Sequence, residues 1–318
     1  GNRQRILQAI FQAHEQGAAL LCLPELCISG YGCEDQFLAP FTANKSWESL
    51  EIIAAATPEI VVIVGLALPF EGELYNVSAI LARGKVQALI PKQFLADDGV
   101  HYEPRWFKPW PKGRRVTYKG IPLGDYRIHF AGITLGIEIC QDAWEGEKRP
   151  AHDLARRGVS VICNPTASHF AFGKSEIRKS LVLEGAKIID GAYVFANLLG
   201  NEAGRIIFDG DAYIAHEGKI LQQNARFSYQ DVSLIGHELS LPIREDKGED
   251  VVVFELQLSA EPKVSSVEIP VWESSSTKKE EEFSRAVALG LFDYLRKSRS
   301  QGWVLSLSGG ADSSAIAS

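Results

Sequence analysis

The hydrophobic period changes many times along the chain, and each change marks an element. Residues 3–16 set Ile6, Leu7, Ile10 and Phe11 on one face at helical spacing, and Gly17 ends the pattern. Residues 18–23, Ala-Ala-Leu-Leu-Cys-Leu, are continuously apolar, as in a strand buried on both faces. A helix ahead of the first strand predicts a further strand upstream. Residues 46–56 read as a helix and 60–65 as another apolar strand. Strands at 75–81 and 86–90 flank Arg83-Gly84-Lys85, a hairpin signal, and strands at 127–130 and 133–139 flank Ala131-Gly132. A helix at 150–157, a strand at 159–163 and a long helix at 174–190 follow. Strands at 193–197, 210–215, 219–222 and 251–256 complete the pattern. Alternating strands and helices with two inserted hairpins predict a layered α/β fold with a mixed sheet.

The character changes after residue 258. Residues 273–280, Glu-Ser-Ser-Ser-Thr-Lys-Lys-Glu, are polar and low in complexity. The chain therefore divides into a domain over 1–260, a linker over 261–280 and the start of a second domain over 281–318. Glu280-Glu281-Glu282 suit the first turn of a helix, where acidic groups meet the positive end of the dipole, and that helix runs to about residue 297. A strand at 303–307 is expected next. It leads into Ser308-Gly309-Gly310-Ala311-Asp312-Ser313-Ser314. One strand, one glycine loop and a stub of helix cannot bury a core, so the second domain is expected to be incomplete.

Composition narrows the class without naming a chemistry. With 318 residues, 46% of them hydrophobic, the chain can bury a large core and more than one domain. Charged residues make up 23% and the net charge is -7, which excludes disorder and a nucleic-acid partner. No apolar run is long enough to span a bilayer, and Gly1-Asn2-Arg3 opens on a helix rather than a secretory leader. The cysteines are Cys22, Cys27, Cys33, Cys140 and Cys163; an odd, sparse set argues against a disulfide framework and fits a reducing, cytoplasmic compartment. Cys27 and Cys33 lack both CxxC spacing and a histidine cluster, so no metal site is expected.

Three chemically useful residues end strands, where layered α/β folds bind ligands. Glu25 follows strand 18–23, Lys92 follows strand 86–90, and Cys140 follows strand 133–139. Together they fit amide hydrolysis. A thiol attacks the carbonyl, a carboxylate takes its proton and passes it to the leaving amine, and a lysine steadies the oxyanion. Singly each has a plain structural reading: a packed cysteine, a solvated loop charge.

The three segments in this order resemble the nitrilase, or carbon–nitrogen hydrolase, superfamily over about residues 1–260. The resemblance implies an αββα sandwich and a Glu-Lys-Cys triad at Glu25, Lys92 and Cys140. It adds Glu103, in His101-Tyr102-Glu103-Pro104, as a second catalytic glutamate. Tyr31, Tyr102 and Ser168, the last in Asn164-Pro165-Thr166-Ala167-Ser168, become candidate substrate-binding residues. Lys174 is either structural or faces the same site. Gln141 departs from the pattern, since many glutaminase relatives carry an acidic residue after the nucleophile.

The string Ser308 to Ser314 is not a Walker A loop, because no Gly-Lys-Ser/Thr follows. It resembles the pyrophosphate-binding loop of the ATP pyrophosphatases, which implies ATP contacts at Ser308, Gly309, Gly310, Ala311, Asp312, Ser313 and Ser314 in a Rossmann-like domain. A nitrilase-like domain ahead of such a loop is similar to the glutamine-dependent NAD synthetases. That resemblance implies glutamine, ATP and deamido-NAD as substrates, magnesium with the ATP, and a homo-oligomer. A stand-alone amidase with an incidental glycine loop, or a scaffold that kept the fold, stays open at this point.

Overall fold

In the computed structural model, residues 1–243, 245–246, 248–258, 262–263 and 268–317 are described. Helix α1 (Asn2–Glu15) leads into β1 (Leu20–Cys22), then α2 (Pro40–Ala56), β2 (Val61–Phe70), β3 (Glu73–Ala82), β4 (Lys85–Pro91), β5 (Arg115–Tyr118) and β6 (Ile121–Gly124). These strands form one sheet in the order β1-β2-β3-β4-β6-β5. The next strands are β7 (Arg127–Phe130), β8 (Ile133–Ile137), β9 (Val161–Thr166) and β10 (Ala192–Asn197), with α3 (Pro150–Arg156) and α4 (Lys174–Ile189) between them. A small pair, β11 (Leu199–Glu202) and β12 (Ile206–Asp209), stands apart. Adding β13 (Ala212–His216), β14 (Lys219–Gln223) and β15 (Val251–Val253) gives a seven-stranded sheet, β14-β13-β10-β9-β8-β7-β15.

The period-two alternation of strand side chains explains why the two sheets stack. On β2, Val61 and Ile63 point to an inner layer with Ile80, Ala88 and Ile90, against Ile128, Leu135, Ile137 and Val161 of the other sheet. The alternate residues Val62 and Val64 point outward to Ile6, Ile10, Leu50 and Ile53 of α1 and α2. Leu154, Val182 and Ala186 of α3 and α4 cover the far face of the second sheet. The result is the expected αββα sandwich with a mixed parallel and antiparallel pairing.

One glycine is required by the site. A Cβ on Gly65 would lie 2.2 Å from the Leu26 nitrogen, so only glycine in β2 lets the chain after β1 pass close enough to place Glu25. Strand β1 ends its sheet, and a cavity of about 830 Å³ lined by Ile6, Leu21, Val194 and Leu234 lies along it; none of Glu25, Lys92, Glu103 or Cys140 lines it.

Two expectations need correction. Residues 303–307 form no strand, and Trp303, Val304 and Leu307 are exposed; a strand needs a partner edge, and none of the described residues offers one. The Rossmann-like layer is therefore not formed here: α5 (Lys278–Ser298) and the short α6 (Ala311–Ala317) are the elements of 281–317. The polar 271–280 stretch, within the expected linker, packs onto the first domain through its side chains. Trp272 is buried against Phe227, and Glu273 accepts Arg226 in an ion pair at 2.7 Å. Residues 261 and 264–267 of the expected linker lie outside the described residues.

Candidate active site

Each strand end delivers its side chain into one buried cluster. Glu25, Lys92 and Glu103 are each at most 1% exposed, and Cys140 is 6% exposed. The Lys92 ammonium donates to Glu25 Oε1 at 2.6 Å and to Glu103 Oε1 at 2.8 Å. Asn76, at the inner end of β3, donates to the same Glu25 oxygen at 2.8 Å. Glu103 is held further by the Tyr31 hydroxyl at 2.8 Å and the Ala96 N–H at 3.0 Å. Two carboxyl groups flank one ammonium.

The other Glu25 oxygen, Oε2, is buried and has no hydrogen-bond partner. Leaving an acceptor unpaired in a protein interior is costly. A general base needs such a lone pair, kept free for the substrate's or nucleophile's proton.

Electrostatics divide the roles. Burial pushes the Glu25 carboxyl up to about 7; Lys92 opposes the shift and Glu103 adds to it. Burial works against a charge on Lys92, but the carboxylates of Glu103 and Glu25 outweigh it and hold the ammonium well above the usual lysine range. Burial pushes the Cys140 thiol up to about 12, with Glu25 adding and Lys92 opposing. The nucleophile thus rests as a thiol, and deprotonation must accompany attack, with Glu25 as the acceptor. Lys92 stays charged throughout and suits electrostatic stabilisation of an oxyanion.

Cys140 sits at φ +44° on the turn Cys140–Trp144 that follows β8. A non-glycine residue there is strained, and such strain gathers at functional sites.

The remaining candidates scatter around this cluster. Tyr31 is buried and its hydroxyl is spent on Glu103. Tyr102 is half-buried, donating to Glu34 at 3.3 Å and accepting from Arg205 at 2.6 Å. Ser168 is buried; its Oγ accepts the Arg178 Nε–H at 3.1 Å, and its N–H donates to Asn197. Arg178 is itself buried between Asp209 and Asp211. Lys174 opens α4, with Nζ 3.2 Å from His169 Nδ1. Gln141 donates to Glu145 at 2.8 Å. Residues 308–314 are exposed apart from a half-buried Ser313, whose hydroxyl lies 3.1 Å from that of Ser308. They are not brought to the Glu25–Lys92–Cys140 cluster. Asp312 is the lone carboxylate in that loop, and the residues present do not form a magnesium site.

Sequence reasoning missed Asn76, His101 and Asp142. Asn76 carries no signal beyond a polar residue inside an apolar strand. Asp98, His101 and His169 bring potential ligand atoms within 4.8 Å of one another. His101 Nδ1 lies 3.1 Å from the Asp98 carboxylate and its Nε2 3.1 Å from the Ala167 carbonyl, so both ring nitrogens are engaged. The Lys174 ammonium stands beside His169, and His101 ties the Asp98 loop to the Ala167 backbone.

The shifts set a pH dependence. Below pH 7 Glu25 holds a proton and cannot act as base; above it the carboxylate is available while Cys140 remains a thiol up to about 12. Amide hydrolysis is therefore expected to rise through about pH 7 and then to level off. Asp142, pushed up to about 7 by burial, titrates in the same window and steepens the limb. Initial rates from about pH 5 to about pH 9 check this, and a flat profile would remove Glu25 from the base role.

Comparison with known proteins finds related chains and folds. A crystal structure of a glutamine-dependent NAD(+) synthetase from Cytophaga hutchinsonii superposes with a TM-score of 0.80 at 42% identity, covering 98% of this chain and 47% of that one. The glutamine-dependent NAD(+) synthetase of Arabidopsis thaliana is 31% identical over 99% of this chain and 48% of its own length, and that of Mus musculus is 33% identical over 100% and 48%. An amidase from Nesterenkonia sp., 22% identical, covers 70% of this chain and 79% of its own with a TM-score of 0.55, and shares the fold alone. The chain spans about half the length of the curated relatives it matches. Among the described residues no helix is long and apolar enough to cross a membrane. The sequence model of the carbon–nitrogen hydrolases matches residues 1–240, and with the αββα sandwich and its buried Glu-Lys-Cys cluster the chain belongs to the carbon–nitrogen hydrolase family.

Proposed function

We propose that the chain is the glutaminase portion of a glutamine-dependent NAD synthetase. The observation that carries the chemistry is the buried cluster in which Glu25 keeps one oxygen unpartnered while Lys92 holds the other. The likeness to synthetases over nearly the whole chain favours glutamine over a simple amide.

In this reading Cys140 Sγ attacks the side-chain amide carbon of glutamine and its proton passes to Glu25. Lys92 steadies the oxyanion of the tetrahedral intermediate. The carbon–nitrogen bond breaks, Glu25 returns the proton to the leaving nitrogen, and ammonia departs from a glutamyl thioester. Water then attacks the thioester with Glu25 as base, releasing glutamate and restoring the thiol. Glu103 and Tyr31 keep Lys92 aligned. The ammonia would amidate the nicotinate carboxylate of deamido-NAD after its activation by ATP, at a site for which Ser308 to Ser314 would supply the anion-binding loop. That the whole protein is a homo-oligomer using magnesium is part of the same proposal.

Lys174 fits the glutamine α-carboxylate, with Ser168 and Tyr102 as further candidate contacts to glutamine. Lys174 is half-buried and makes no ion pair among the described residues. Its neighbour His169 is pushed down to about 4 by burial and by Lys174, so it is neutral at pH 7. A cation left unpaired beside the nucleophile suits an incoming carboxylate. Lys174→Met is expected to raise KM for glutamine about ten- to hundredfold, the worth of one charged hydrogen bond, with kcat within about threefold. An unchanged KM would return Lys174 to a structural role.

The function is tested by glutamate release from glutamine, and by NAD formation from deamido-NAD, ATP and glutamine with the full-length protein. Hydrolysis of simple amides without glutamate release would overturn the reading in favour of an amidase.

A further inference from the structure

We propose that Asp142 is a positioning residue for the nucleophile, a single buried carboxylate that fixes the strained turn at Cys140 and the chain after Lys92 relative to each other. Asp142 is 2% exposed and stands two residues beyond Cys140. Its Oδ1 accepts the N–H of Gln93 at 3.1 Å and of Phe94 at 2.8 Å, the two residues that follow Lys92. Its Oδ2 accepts the N–H of Ile139, the residue before Cys140, at 2.8 Å. The Asp142 N–H returns to the Ile139 carbonyl at 3.0 Å. The turn is closed from both ends, with Cys140 between them in the left-handed region.

Topology explains why such a clamp is needed. Lys92 follows β4 in one sheet and Cys140 follows β8 in the other. No ladder of backbone hydrogen bonds runs between sheets, so strand register cannot set the lysine against the thiol. Side-chain packing between the layers tolerates small slips, whereas three hydrogen bonds to one carboxylate do not. A carboxylate can accept three N–H donors; neither an amide nor a hydroxyl can present two acceptor oxygens in that span. A strained conformation persists only where its surroundings hold it, and Asp142 supplies that hold for Cys140. Asp142 makes no hydrogen bond to Glu25, Glu103 or the Lys92 ammonium; it feels the Lys92 charge through space, and its direct hold is on the backbone before Cys140 and after Lys92.

The inference rests on the glutaminase reading only for the substrate used in one arm of its test. Asp142→Ala would empty a buried site, so the near-isosteric Asp142→Asn is the variant that is read. Its oxygen can still accept from Gln93 and Phe94, but its NH2 faces the Ile139 N–H, donor against donor. Two measurements are made on wild type and variant, with cooperative thermal unfolding of both as the check on folding. The first is the rate of Cys140 alkylation by iodoacetamide, which needs no glutamine site. It is expected to fall about tenfold, because the thiol loses its alignment with Lys92 and Glu25. The second is glutamate release, where kcat is expected to fall about a hundredfold with KM within about threefold. Alkylation that stays equal or speeds up, as it would if the turn merely opened to solvent, overturns the proposal. So does a change confined to KM. Wild type that alkylates at Cys140 but releases no glutamate would sink the glutaminase reading, and the alkylation ratio would still decide Asp142.

Discussion

Cys140→Ala is expected to reduce glutamate release to background, a loss of at least about ten-thousandfold, while leaving the fold intact. The reaction has no second route to a covalent intermediate. Cys22 and Cys163 are the other thiols of the inner layer, and Cys163 is fully buried within β9. The substitution removes one sulfur from a site where the backbone already tolerates a Cβ at φ +44°, so alanine adds no strain. In the full-length protein the same variant separates the two proposed half-reactions: synthesis from glutamine should stop, and synthesis from added ammonium should continue. Loss of both, in a protein that unfolds normally, would mean that Cys140 serves more than ammonia release.

Replacing Lys92 is expected to damage rate and stability together. Its ammonium is fully buried and bridges Glu25 and Glu103 at 2.6 and 2.8 Å. Lys92→Met leaves two carboxylates facing each other in a desolvated site. Breaking a buried pair from one side costs about 3–5 kcal/mol, and a denaturation midpoint would register that loss. The same change removes the charge that keeps Glu25 partly ionised, so the carboxyl takes a proton and the base is lost along with the oxyanion partner. A fall in kcat of at least about a hundredfold follows. Lys92→Arg keeps the charge, but a planar guanidinium cannot meet both carboxylates and the oxyanion from one point, so a similar loss of rate is expected. Near-normal turnover in either variant would confine Lys92 to a structural ion pair between Glu25 and Glu103.

The family-level chemistry was legible because its carriers follow local signals. Glu25, Lys92 and Cys140 each end an apolar run, and a run of that kind reports a strand from its neighbours alone. The layered α/β character was legible too, since alternate residues of β2 such as Val61 and Val62 must find two different apolar partners, whereas the αββα arrangement was implied by the family resemblance. Other elements were not legible. The strands β5, β6, β11 and β12 are four residues each, too short to show a period. The stretch at 303–307 has a strand's composition but forms none, because a strand exists only where another edge meets it.

Sequence by itself determined which residue types stand at the strand ends and therefore which reaction class is available. Tertiary structure alone decided their physical state. No local pattern states that Lys92 is buried between Glu25 and Glu103, that Asn76 occupies one Glu25 oxygen and leaves the other free, or that burial pushes Glu25 up to about 7. Those properties depend on distances between residues 51, 67 and 72 positions apart, which the side-by-side pairing of β1 to β4 in one sheet, with the loops that follow them, brings within hydrogen-bonding range. Asp142 is the clearest case. In the sequence it is one acidic residue after a cysteine; in the fold it joins the end of one sheet to the end of the other, because only the packed sandwich places Gln93 and Phe94 where its oxygens can reach.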